Sequence, residues 1–212
     1  DLKWSNNQDV VADDIIATYE LMGNSKYKDN IRYKSEFETI EGMKAYHDGK
    51  AEKISGLTKK DDKTVVIQYK DVKPALLWGS GFITTFLNKD QVAAASKDFS
   101  KFVEAELNTK PLSYGPYYLD KVVNGESVLA KQNPYYYKKD DVKVKEIQYK
   151  VVAPAQASSI IKNGEIDYMS QVTPNVWSAV KDYSNGTLLG QPDFYISYVG
   201  FKHGIKRKTK WK

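Results

Sequence analysis

The 212 residues include 32 basic and 27 acidic side chains, for a net charge of +5, with 41% hydrophobic and 28% charged residues and no cysteine. This balance describes an ordinary globular chain, long enough for one good core or two small ones, and it excludes disulfides and thiolate catalysis. No apolar run approaches the ~20 residues a membrane helix needs.

The chain opens in an expected strand, with no charged-then-apolar leader, so a signal or anchor is expected outside this sequence. Asp13 and Asp14 then mark the first turn of a predicted helix, where carboxylates favour the exposed N–H groups. Ile15, Ile16, Tyr19 and Met22 recur at helical spacing, and Gly23 reads as the residue that closes the helix. A short helix is predicted from Thr39, with Met43 and Tyr46 on one face and Asp48-Gly49 as its stop. Residues 53–58 and 64–69 read as two strands of a hairpin turning through the polar segment 59–63. Apolar residues from Pro74 to Leu87 are expected to pack into a core, with Gly79-Ser80-Gly81 as a tight bend. Short helices are expected at 91–95 and 99–107.

A second block starts near Tyr114. Asn124-Gly125 between 117–123 and 127–131 is the strongest short hairpin signal in the chain. Residues 142–152 alternate apolar and polar as a long half-buried strand. A helix over 154–162 should end at Asn163-Gly164, followed by a short strand at 166–169. Thr173 and Pro174 read as N-cap and first position of a helix running to Lys181. Residues 194–201 form a final apolar strand. The first block reads as α+β and the second as an α/β layer arrangement.

The positive charge is uneven. Lys206, Arg207, Lys208, Lys210 and Lys212 crowd the last eight residues, and without them basic and acidic residues number 27 each. The tail reads as a solvated run; the alternative is an electrostatic contact with phosphate or lipid. The two histidines, His47 and His203, have no metal-spaced partner, and His47 reads as an exposed helix-end residue. Asp13/Asp14, Asp61/Asp62 and Asp140/Asp141 are adjacent in sequence, so their side chains diverge and make poor acid–base dyads. What stands out is aromatic content, 16 Tyr and 4 Trp. Tyrosine joins a rigid apolar face to one hydrogen-bonding tip, which suits binding of varied ligands. Tyr135-Tyr136-Tyr137-Lys138-Lys139 could stack single-stranded nucleic acid, but it reads more simply as a turn after a strand.

Lys3-Trp4-Ser5, Ala12-Asp13-Asp14, Tyr114-Gly115-Pro116-Tyr117 and Asn133-Pro134-Tyr135-Tyr136, in that order, resemble the large solute-binding proteins that deliver peptides to ABC importers, the oligopeptide-binding family. The resemblance covers about residues 2–202. It implies a mixed α/β (α+β) fold, a fragment of the periplasmic-binding-protein-like fold of the large peptide-binding type. Residues 1–112 correspond to the family's extra α+β domain, 113–203 to part of lobe I, and 204–212 to a basic tail. It further implies a non-enzymatic, monomeric receptor without cofactor, metal or nucleic-acid partner. That receptor sits at a bacterial cell surface as a lipoprotein or in a periplasm, touching the membrane only through a lipid anchor outside this sequence. Its partners are an oligopeptide ligand and the permease subunits of the importer, with the peptide backbone paired to protein strands in a two-lobe cleft.

By position, Tyr195 and Tyr198 are the leading ligand-contact candidates, with Ser170 and Gln171 in the loop after Gly164-Glu165-Ile166-Asp167. Three departures stand out: Asn6-Asn7 replaces Asp-Gly, Val11 stands where Thr usually caps the helix, and Lys202 replaces a common Asn. The second lobe, which usually holds the peptide's amino group, is not in this sequence, so these residues alone are expected to bind peptide weakly or not at all. Alternatives are a same-fold receptor for a signalling peptide, dipeptide or metal chelate, a surface adhesion module, and a nucleic-acid binder driven by the tail.

Overall fold

The structure, a computed structural model, describes residues 1–27, 36–71, 74 and 83–190. The chain divides into two compact units, Asp1–Val151 and Val152–Lys212. The boundary expected at 112 and 113 falls inside the first of them. Gly79-Ser80-Gly81, the strand at 194–201 and the basic tail lie outside the described residues.

In the first unit two buried clusters are arranged around helix α1, Ala12–Gly23. One side of α1 packs Tyr19 with Phe37, Ile40, Met43 and Ile54; the other packs Leu21 with Val92, Ala95 and Leu107. A helix apolar on two sides has to be enclosed, and its remaining polar groups need partners. Three of them take up the segment at 83–89: Lys89 N–H donates to Asp14 Oδ1 (2.8 Å), Leu87 N–H to Thr18 Oγ1 (2.8 Å) and Ile83 N–H to the Tyr19 hydroxyl (3.1 Å).

Val11 has no side-chain acceptor for the helix start, but Asp14 Oδ2 reaches back to accept Val11 N–H at 2.9 Å, so half of a capping box forms. Gly23 proves to be the last helical residue, followed by an extended Asn24, and not a left-handed cap. Its value is close approach: a Cβ there would lie 2.6 Å from Met43 Sδ. His47, expected to be exposed, is half-buried, and its Nδ1 donates to Gly23 O at 2.8 Å, a helix-end carbonyl that α1 leaves unpaired.

Helix α2 spans Met43–His47 and begins four residues later than Thr39 suggested. The delay has a cause: Thr39 O accepts Lys70 N–H, Glu41 N–H donates to Gln68 O, and Ile40 bridges Tyr69. Backbone already paired to a strand cannot start a helix. Gly42, at φ 73°, turns the chain into α2. Strands β1, Leu57–Asp61, and β2, Thr64–Ile67, form an antiparallel hairpin. The predicted turn segment 59–63 is therefore mostly strand. Lys59 lies between Asp13 (2.8 Å) and Asp62 (2.7 Å), and their carboxylates raise the pKa of its ammonium.

Helix α3, Lys89–Ala95, is followed by a 3₁₀ segment, Phe99–Glu104, and a one-turn helix α4, Glu106–Thr109. The sheet is β3–β4–β5: Tyr117–Val123, Ser127–Gln132 and Glu146–Lys150, all antiparallel. Asn124-Gly125-Glu126 makes a three-residue loop between paired Val123 and Ser127, with Gly125 at φ 74°. The long strand predicted over 142–152 shortens to five residues: Lys145 O still accepts Gln132 N–H in register with the ladder, but one residue earlier Val144 O accepts the Tyr117 hydroxyl instead of a strand partner. The register places Val122, Val128 and Tyr149 across from one another, in line with Ala130 and Ile147 on one apolar face. Ala130 is buried, but Val122 is 46% and Tyr149 57% exposed.

The second unit has a 3₁₀ turn, Pro154–Gln156, then α5, Ala157–Lys162, and α6, Pro174–Val180. Helix α5 ends as the Asn-Gly pair predicts: Gly164 at φ 70° donates to Ile161 O and Glu165 N–H to Ile160 O, a Schellman closure. Thr173 Oγ1 accepts Val176 N–H at 3.5 Å, and Pro174 fills the first helical position, as read from the sequence. The strand predicted at 166–169 does not form; that stretch is bend and coil with no ladder partner among the described residues.

Candidate functional site

Of the four expected contact residues, Tyr195 and Tyr198 lie outside the described residues. Ser170 and Gln171 are exposed in the loop between α5 and α6. Their presentation has a local cause. Met169 and Val172, on either side, pack against the buried cluster of Ala157, Val176 and Val180, so the two polar side chains between them point away from it. Tyr168 beside them is 82% exposed. The loop therefore offers a hydroxyl, an amide and a phenol to solvent, groups that bind by hydrogen bonding and stacking and carry no nucleophile–base pairing.

The signature fragments come together in space, in the first unit. Trp4 is buried with its Nε1 donating to Asp14 Oδ2 at 3.0 Å, and its ring meets Tyr114 edge-on at 5.3 Å. Tyr114 stacks on Phe86 at 4.5 Å. Ser5 Oγ accepts Ser113 N–H at 3.2 Å. Asn133, fully buried, donates from Nδ2 to Ser113 O (3.2 Å) and Gly115 O (3.0 Å), while its Oδ1 accepts Tyr135 N–H at 3.0 Å. This cluster joins residues far apart in sequence and leaves its polar atoms paired. It is an architectural joint, and the turn expected at Tyr135–Tyr137 is its edge, with Tyr136 N–H donating to Asn133 O.

Two hollows open on the first unit. One, about 550 Å³, lies among α1, β1 and α3, with Ile16, Ala17 and Leu57 between charged walls that include Glu20 and Lys53. Burial raises the pKa of the Glu20 carboxyl, and Lys53 opposes the shift. The other, about 480 Å³, is bounded by the start of the chain, α3, the segment after α4 and β3. Its polar lining includes the amides Asn6, Gln8, Asn88 and Gln91 and the charged Asp90, Glu106 and Lys110, beside Leu112, Tyr118 and Leu119. Gln91 is spent on structure: Nε2 donates to Lys110 O (3.0 Å) and Oε1 accepts Leu112 N–H (2.9 Å). Sequence reading passed over Asn88, although Asn-x-x-Gln ahead of an apolar stretch is a helix-start signature. Among the described residues no group of three or more His, Asp or Glu side chains could hold a metal ion.

The family model for bacterial extracellular solute-binding proteins, family 5 (middle), matches residues 1–211. An oligopeptide-binding protein OppA of Lactococcus lactis subsp. lactis is 32% identical over 210 residues, 96% of this chain and 34% of that protein. Di/tripeptide-binding protein 3 of Pseudomonas aeruginosa is 22% identical over 191 residues, 90% of this chain and 34% of that protein. The solved structure of lactococcal OppA, complexed with an endogenous peptide in the closed conformation, superposes with a TM-score of 0.78 at 29% identity, covering 86% of this chain and 34% of the other. The murein tripeptide-binding protein MppA in its unliganded open form gives a TM-score of 0.69 at 20% identity, over 87% of this chain and 35% of that one, a likeness of fold. The chain thus spans about a third of the length of the relatives it matches.

Proposed function

The chain belongs to the bacterial extracellular solute-binding proteins of family 5, and we propose that it forms part of an extracytoplasmic receptor that captures oligopeptides in a two-lobe cleft and delivers them to an ABC importer. The observation that carries this reading is the likeness, along almost the whole chain, to proteins named for oligopeptide binding. In this reading residues 1–112 are the family's extra domain, 113–203 contribute to lobe I and 204–212 are a basic tail. The protein is a non-enzymatic monomer, held at a bacterial surface by a lipid anchor outside this sequence or free in a periplasm.

Tyr195, Tyr198, Ser170 and Gln171 meet the ligand. The exposed hydroxyl and amide at 170 and 171 support that role, because a peptide backbone is bound through hydrogen bonds that tolerate varied side chains. Native mass spectrometry of the gently purified intact protein tests the proposal. A ladder of co-purified peptides is the expected result, and its length distribution separates an oligopeptide receptor from one for di- and tripeptides, which the Pseudomonas likeness favours. A protein that carries no peptide and ignores a peptide library would overturn the reading.

A further inference from the structure

Asn88 caps α3 in an unusual way for so buried a residue. It is 3% exposed, and its Oδ1 accepts both Asp90 N–H (3.1 Å) and Gln91 N–H (3.2 Å), which fixes the amide's orientation. Its Nδ2 is left with two hydrogens and no acceptor among the described residues. A buried amide donor without a partner costs about 1–3 kcal/mol, so natural folds rarely leave one unless something external satisfies it. Asn88 lines the 480 Å³ hollow, and with its oxygen taken by the helix, Nδ2 is the side-chain polar atom still free to bond a solute there.

From this we infer that the hollow is a binding site for a small neutral hydroxylated solute of sugar type, separate from peptide capture. The volume falls within the range of small-molecule sites, about 300–1,000 Å³. Asn88 Nδ2 supplies a fixed donor to a hydroxyl or carbonyl oxygen. Gln8, whose Oε1 accepts Asn6 Nδ2–H at 2.9 Å, keeps its own Nε2 hydrogens for a ligand, and Leu112, Tyr118 and Leu119 contribute apolar lining for a sugar's C–H face. Glu106 is offset by Lys110, and Asp90 is paired with Lys89 at 3.6 Å, so the lining carries little net charge and a neutral ligand fits it.

The test uses the whole ¹⁵N-labelled chain and follows the Asn88 side-chain amide signals during titration with N-acetylglucosamine and with maltose. Asn88→Asp assigns those signals; it keeps the capping oxygen and replaces the donor with an acceptor. The expected result is a saturable shift at millimolar sugar; the backbone amides of Asp90 and Gln91, present in both proteins, should report an affinity weakened about tenfold in Asn88→Asp, the scale of one lost hydrogen bond. Ala94→Trp, which fills the hollow from an exposed helix position, is expected to abolish the shift and serves if Asn88→Asp does not fold. Gluconate should shift the signals less than either neutral sugar, and a stronger response to it overturns the assigned ligand class. Asn88 signals unmoved by both sugars overturn the site, leaving the amide to a water molecule. A shift of the Asp90 and Gln91 backbone amides that persists undiminished in Asn88→Asp or Ala94→Trp overturns it too.

Discussion

In Asp1–Val151, helix α1 is enclosed by Tyr19, Phe37, Ile40 and Met43 on one side and Leu21, Val92 and Leu107 on the other. Among the described residues of Val152–Lys212, the buried cluster is Ala157, Val176 and Val180. The first unit also buries Asp14, Thr18, Gln91 and Asn133, each tied to backbone groups from distant segments. In the second, Tyr168 and Leu189 stand exposed. Large side chains and shared polar anchors make the first unit a structure set by its own residues. The described part of the second, residues 152–190, buries small side chains and rests on local helix signals, and native-state hydrogen exchange should find its amides opening first.

The most damaging test of this contrast is Trp4→Ala. It removes the contacts with Tyr114 and Phe86 and takes one donor from buried Asp14. A loss of about 3–5 kcal/mol in chemical denaturation is expected; a loss under about 1 kcal/mol would mean the joint is slack. Gly42→Ala should come next, at about 2–4 kcal/mol, because a side chain there is forced to φ 73° and its Cβ would sit 2.7 Å from Ser55 N. Val176→Ala, in the second unit, should cost about 2 kcal/mol and speed exchange in α6. Gly164→Ala sharpens the pairing with Gly42: the same left-handed backbone at φ 70°, but open space around it, so only about 1 kcal/mol is lost.

The smallest effect is on pH dependence. Burial raises the Glu20 carboxyl's pKa in the folded state, so its contribution to stability falls as pH rises through that value. Glu20→Gln should therefore raise the melting temperature at neutral pH and leave it unchanged below the carboxylate range. An equal gain at both pH values would assign the effect to packing.

Local grammar was legible from sequence where it is self-contained. The first turn of α1, Asn124-Gly125, Asn163-Gly164 and Thr173-Pro174 each work through neighbouring residues, and each lies where it was read. Errors arose where a partner far along the chain decides. Thr39 has the chemistry of a helix start, but its carbonyl is already taken by Lys70. Gly23 looked like a cap because nothing in sequence announces Met43 against it. The site was less legible still. Ser170 and Gln171 gain their outward aim from Met169 and Val172, and Asn88 stands out only once its amide is seen buried without an acceptor.

The contact between His47 and Gly23 has a consequence of its own. A carbonyl oxygen only accepts, so Nδ1 must carry the hydrogen, and the neutral ring is held in the tautomer protonated there. The seam between α1 and α2 is thus tied by a side chain of one helix to the last carbonyl of the other, a bond that neither helix could make within itself.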